Sequence, residues 1–280
     1  MHHADTTLPG PGRPPTEGLA AAPPPILMHR THKQSGFTLI ELMVVVAIIA
    51  IVAAIAIPKL VSARVSANEN ATISTLRSIS TAQQNMIASV TIDTDIDGGG
   101  EAGYFGELAG EVPVRVWSQL GTGIGAAGDS AQPSFLSKEF ADVFTVAGEG
   151  VVERNGYYFK IYLPDGSASP PVAGLPELGT GGANPAGIPG SANCELYWCC
   201  YAWPAQVNRT GRRAFMVNQV GDVFATQNLA SQAGGPYDGT NRTPAFDAAY
   251  SASGDMSSEV ALAIAGLTAQ DGLVWTPVGN

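Results

Sequence analysis

At 280 residues and 45% hydrophobic side chains, the chain has room for one medium domain with its own core and a long appendage. A formal charge of −10 argues against a nucleic-acid groove, because neutralising phosphates takes clustered Lys and Arg. All four histidines, His2, His3, His29 and His32, precede Gly36, so the chain beyond it has no Ser-His or Cys-His nucleophile pair and no histidine-ligated zinc.

Residues 1–27 hold Pro9, Pro11, Pro14, Pro15 and Pro23, Pro24 and Pro25 with few apolar side chains, and read as an unfolded leader or a mis-assigned start. Met28 is a plausible start, from which the leader would be short and basic, MHRTHKQSG, ending at Gly36. The next segment, residues 37–57, FTLIELMVVVAIIAIVAAIAI, spans roughly 31 Å as a helix and crosses a bilayer once. Arg30 and Lys33 lie ahead of it and Glu41 is its one charge before Lys59, which puts the N-terminus in the cytoplasm and the bulk outside. A secretory signal peptide is the rival reading, weakened by the length of the run and the lack of a small-x-small cleavage site after it. Beyond Pro58, Val61, Val65, Thr72, Leu76, Ile79, Gln83, Met86 and Val90 keep a helical period, so the helix is expected to reach about residue 90 and to kink at Pro58.

Glu41 sits in the apolar run, where a carboxylate normally needs a partner. Its own helix dipole supplies one, with the side chain snorkelling to the interface. Cleavage after Gly36 would supply another, a new α-amino group on Phe37 of a neighbouring subunit.

Leader residues Lys33-Gln34-Ser35-Gly36, then Phe37-Thr38-Leu39-Ile40-Glu41-Leu42, the apolar run and Pro58 closely resemble the type IV pilin-like superfamily, the pilins of type IV pili and the pseudopilins of type II secretion. The resemblance is strong over residues 30–60 and weak along the following helix. It implies cleavage after Gly36 by a membrane prepilin peptidase, N-methylation of Phe37, and assembly into a homo-oligomeric filament in which Glu41 neutralises the neighbouring N-terminus. Minor pilins or pseudopilins and an inner-membrane assembly platform are the implied partners. The implied location is a single-pass inner-membrane protein with a periplasmic or extracellular head.

The expected organisation is a leader over residues 1–36, a membrane half-helix over 37–57, an amphipathic half over 58–92 and a globular head over 93–280. In the head, VPVRVWSQL (112–120) reads as an edge strand, and YYFKIYL (157–163) as a strand ending at Pro164-Asp165-Gly166. CELYWCCYAWP is a second apolar stretch, and RRAFMVNQVGDVFATQ reads as two strands about a turn at 218–222. The fold class is α+β, one long helix packed on a small antiparallel sheet with long loops. Residues 170–190, rich in Gly and Pro, read as a surface loop outside any strand.

Asp93, Asp95 and Asp97 occupy positions 1, 3 and 5 of a calcium-loop template with Gly98 at the sixth, but Tyr104 stands at the twelfth, leaving Glu101 or Glu107 to complete a different loop. Calcium is thus a possible cofactor, weighed against a solvated acidic turn; none is required. Cys194, Cys199 and Cys200 in an oxidising compartment predict one disulfide, Cys194 with Cys199 or Cys200. GIGAAG (123–128) matches a dinucleotide fingerprint without the helix that would confirm it. Tyr157, Tyr158, Phe159, Tyr162, Trp198, Tyr201 and Trp203 read as core rather than as a sugar platform. Arg209, Arg212 and Arg213 read as a solvated turn rather than a nucleic-acid contact. No catalytic constellation stands out, so the sequence favours a structural filament subunit over a membrane-anchored enzyme or binding domain. It does not separate pilus from secretion pseudopilus, nor major from minor subunit.

Overall fold

The computed structural model describes residues 36–118, 121–126, 128–229, 234–262 and 265–279. The leader, with Met28, Arg30 and Lys33, falls outside the described residues up to position 35. The chain divides into two compact units, Met1–Ala50 and Ile51–Asn280.

In the first unit, the described residues open helix α1 (Leu39–Ala88). Its apolar side chains here stand exposed among the described residues: Phe37 is 88% exposed, and Leu39, Ile40, Leu42, Met43 and Val44 are all exposed. A helix long and apolar enough to cross a membrane starts here, and its most apolar stretch is wholly unburied.

In the second unit, α1 runs on through Pro58 and changes character. Val65, Thr72, Ile73, Leu76, Ile79, Ala82, Gln83 and Met86 are buried, so the period read from the sequence marks the packed face between 65 and 86. Val61 and Val90 at its two ends are exposed. Buried Gln83 is satisfied at both ends of its amide: its Nε2 donates to Gly103 O (2.7 Å), and its Oε1 accepts from Gly103 N (2.9 Å).

After α1 come a single turn, α2 (Phe105–Leu108), a separate hairpin of β1 (Arg115–Ser118) with β2 (Gly121–Ile124), and a 3₁₀ turn at Lys138–Ala141. The main sheet is built from β3 (Phe144–Val146), β4 (Glu149–Arg154), β5 (Tyr157–Pro164), β6 (Gly174–Pro176), β7 (Cys199–Pro204), β8 (Ala214–Asn218), β9 (Val223–Thr226) and β10 (Trp275–Pro277). Every pairing is antiparallel, in the order β10-β9-β8-β7-β5-β4-β3, and β6 also pairs with β5. A short helical turn, α3 (Ser191–Cys194), leads into β7. The fold is α+β, a long N-terminal helix on an antiparallel sheet.

Alternation along the central strands sends Phe159, Ile161, Leu163, Cys200, Ala202, Phe215 and Val217 toward the core that contains Ile73, Leu76, Ile79 and Met86 of α1. Tyr162, Cys199, Tyr201, Trp203, Ala214 and Met216 face the other way, into a second core with Tyr237, Ala249, Tyr250, Met256, Leu273 and Trp275. The sheet is therefore covered on both faces. The second cover, from the described residues between 234 and 275, has almost no regular secondary structure among them; it is pinned by side-chain bonds such as Trp203 Nε1 to Gly239 O (2.8 Å), Tyr201 OH to Phe246 O (3.0 Å) and Tyr162 OH to Pro244 O (2.8 Å). Tyr157, Phe159, Tyr162, Trp198, Tyr201 and Trp203 are all core residues.

Three expectations change. The 112–120 strand belongs to the separate hairpin rather than to the edge of the main sheet, and its last two residues lie outside the described set. The 170–190 stretch contains β6, a three-residue strand whose Gly174 packs so tightly that a Cβ would fall 2.4 Å from Phe246 Cβ. The predicted bridge from Cys194 to Cys199 or Cys200 is absent, and all three cysteines are free and buried. Adjacent residues of a strand point to opposite faces, so Cys199 lies in the second core while Cys194 and Cys200 lie in the first. Cys194 instead accepts from Arg115 Nη1 at 3.5 Å.

Candidate functional site

The N-terminal site lies within the first unit. Thr38 is the residue before α1, and its carbonyl accepts the first helical bond, from Leu42 N (3.3 Å). Thr38 Oγ1 accepts from Glu41 N (3.2 Å), while Glu41 Oε2 accepts both Thr38 N (2.9 Å) and the Thr38 hydroxyl (2.7 Å). This is a reciprocal capping box, with Thr38 at the cap and Glu41 three residues on. Within a single chain Glu41 thus closes its own helix end, beside the partial positive charge of the helix N-terminus. The T-x-x-E spacing is the sequence signal for this cap. Gly36 has open space where a Cβ would stand, and Phe37 is exposed, so the Gly36–Phe37 junction and the Glu41 carboxylate share one accessible turn.

The second candidate site follows α1 in the second unit. Here the chain turns through Ile96 at φ 62° and Gly98 at φ 91°. Asp93 takes Ile96 N (2.7 Å) and Gly98 N (3.2 Å), and Asp97 takes Gly99 N (2.7 Å). One carboxylate oxygen each from Asp93, Asp95 and Asp97 lie within 4.8 Å of one another. Glu195, just after α3, lies beside this loop: a Cβ on Gly99 would come within 2.5 Å of its carboxyl carbon. Burial, then the charges of Asp97 and Asp95, push the Glu195 carboxyl above its ordinary range, and its Oε1 is buried without a hydrogen-bond partner. The three aspartates offer hard oxygens of the kind calcium takes, with the Glu195 carboxyl beside them. Glu195 escapes sequence reading because it lies about a hundred residues away and reaches the loop through α3.

Glu101 and Glu107, the acids expected to complete that loop, are committed elsewhere. Both are fully buried on Arg115, itself buried, with Nη1 on Glu101 Oε2 (3.0 Å) and Nε on Glu107 Oε1 (3.1 Å). Glu101 Oε1 also accepts from Thr94 N (2.7 Å), Thr94 Oγ1 (2.5 Å) and Ser191 Oγ (2.6 Å), and Glu107 Oε2 from Tyr104 N (2.8 Å). Arg115 Nη2 reaches Ala102 O. The network holds the floor beneath the acidic loop.

Glu177 borders it with no ion-pair partner among the described residues. Its carboxylate accepts from Gly106 N (2.9 Å), Gly182 N (2.8 Å) and Phe105 N (3.2 Å), yet burial outweighs these bonds and, with Glu107 nearby, raises its pKa to about 8. A carboxyl whose pKa is higher folded than unfolded stabilises the fold fully below the unfolded value of about 4.5 and loses that contribution as pH climbs to about 8. Glu177→Gln, which mimics the protonated acid, should therefore flatten the fall in melting temperature between pH 5 and pH 8. Parallel slopes for variant and wild type would show that Glu177 does not titrate in that window.

GIGAAG begins on β2 and includes residue 127, outside the described set; the next helical element is the 3₁₀ turn at Lys138–Ala141, so the dinucleotide context is missing among the described residues.

A family model for the prokaryotic N-terminal methylation motif matches residues 31–57. No curated protein and no solved structure matches the chain.

Proposed function

We propose that this chain, whose N-terminal methylation motif and long apolar helix fit a type IV pilin-like protein, is a structural subunit of a type IV pilus-like filament or a type II secretion pseudopilus. It is made as a prepilin, cut after Gly36 by a prepilin peptidase, methylated on Phe37 and assembled through α1. The observation that carries this reading is the motif match at 31–57, whose described residues open α1 with a run of apolar side chains left exposed among the described residues. Such a helix needs a bilayer before assembly and neighbouring helices after it. Filament partners would be further copies of the chain with minor pilins or pseudopilins, docked at an inner-membrane assembly platform.

Processing supplies the test. Gly36 presents bare backbone to the peptidase, so Gly36→Val should leave an uncleaved membrane precursor and no filaments. Normal mature protein from that variant would sink the reading.

Asp93, Asp95 and Asp97 would hold calcium, with Glu195 beside them, and the ion would relieve the repulsion among these carboxylates. Removing a ligand present at a hundredfold over its Kd costs about 2.7 kcal/mol, or roughly 5–10 °C for a domain of this size. Chelation should lower the melting temperature by that order, and Asp95→Ala should abolish the shift. Identical melting with and without chelator would return the loop to a plain acidic turn.

A further inference from the structure

Resting on the membrane-anchored reading above, we infer that the basic residues of the second unit that lie just past Ile57 form a collar that binds the anionic headgroups of the leaflet where the apolar run ends. Lys59 and Arg64 are exposed on α1, two and seven residues past Ile57. At the helical rise these positions are roughly 3 and 10 Å beyond the apolar run, inside the headgroup layer or within about one Debye length of it.

Arg64 and Asn68 are four residues apart and share one helix face. Asn68 Nδ2 donates to Thr210 O (2.8 Å), which seats the β7–β8 loop on that face. The next residue, Glu69, completes the clamp by accepting Arg212 N (3.0 Å), Arg213 N (3.2 Å) and Arg213 Nε (2.8 Å). Its charge is thereby spent on Arg213. Arg209 and Arg212 remain exposed, and the guanidinium of Arg209 meets neutral Gln206 Oε1 at 3.2 Å.

Among the described residues, the carboxylates brought to this end are Glu69, Asp238, which accepts Val207 N (2.8 Å), and Glu153 on β4; Arg154 beside it pairs with Glu139. Lys59, Arg64, Arg209, Arg212 and Arg213 outnumber them, in a chain whose overall charge is −10. Cations gathered at the point where an apolar helix emerges match an anionic bilayer surface, to which each adds roughly a fivefold preference over a neutral one.

The full chain reconstituted in phosphatidylcholine vesicles, and in vesicles with about a third phosphatidylglycerol, tests this. Trypsin cleavage after Arg209 and Arg212 is read against cleavage after Lys138, an exposed residue outside the collar. The ratio should fall about fivefold or more with phosphatidylglycerol, recover in high salt, and stay high in a Lys59→Gln/Arg64→Gln variant. An unchanged ratio overturns the collar, as does protection that follows protein-to-lipid ratio rather than phosphatidylglycerol, which would assign the face to a second copy of the chain. Resistance to alkaline carbonate separates the two levels: a stripped chain defeats the anchored reading and the collar with it, whereas a resistant chain with an unchanged ratio defeats the collar alone.

Discussion

Glu41→Ala should leave insertion and cleavage intact and cut filament yield by on the order of a hundredfold, because an incoming Phe37 amine would enter an apolar filament core unpaired. The capping box makes the experiment sharper than a single substitution allows. In one chain Glu41 accepts both the Thr38 amide and its hydroxyl, so Ala removes a helix cap together with a charge. Glu41→Gln separates them, since a carboxamide oxygen still accepts from Thr38 but carries no charge. If the intersubunit charge matters, Gln fails as Ala does, with the membrane pool of mature subunit undiminished. If Glu41 serves its own helix end, Gln assembles normally. Filament yield and membrane-pool abundance measured on the same cells distinguish these outcomes.

Arg115→Met should be the most damaging single change to the head. It would leave Glu101 and Glu107 as buried carboxylates without their cation, at a cost of about 3–5 kcal/mol, or roughly 6–20 °C in melting temperature. The penalty comes from the orphaned charges rather than from the lost pair, so adding Glu101→Gln and Glu107→Gln to Arg115→Met should recover much of the loss. Because the network underlies the acidic loop, the single variant should also lose any chelator-sensitive melting, and the triple variant should regain it. A single variant that melts like wild type would mean that the three groups do not share a dry site.

The sequence carried the membrane run, the packed face of α1 and the strands β5, β7, β8 and β9, because each is a local pattern of apolar side chains or a turn. The two-sided burial of the sheet is harder to read. Strands such as YYFKIYLP and CCYAWP are apolar or aromatic on both faces except at Lys160, the mark of a strand covered twice, but the second cover is an irregular segment whose identity shows in side-chain bonds rather than in any period. The short strands β3, β6 and β10 owe their existence to longer neighbours. For the acidic loop, the aspartate triplet was legible, whereas Glu195 was not, and Glu101 and Glu107 were withdrawn by an arginine whose burial no local pattern announces. For the thiols, proximity in sequence suggests a bridge, but strand alternation puts Cys199 on the face away from Cys194, and Cys200, in the same core as Cys194, is a free thiol as well.

The central claim is that the chain becomes a filament subunit by losing everything up to Gly36 and exposing Phe37. Mass spectrometry of the mature protein's N-terminal peptide, taken from membranes and from sheared surface filaments, tests it most directly. The predicted result is a peptide beginning at Phe37 and heavier by one methyl group in both fractions. A mature chain that begins elsewhere, or that keeps the residues before Gly36, would contradict it.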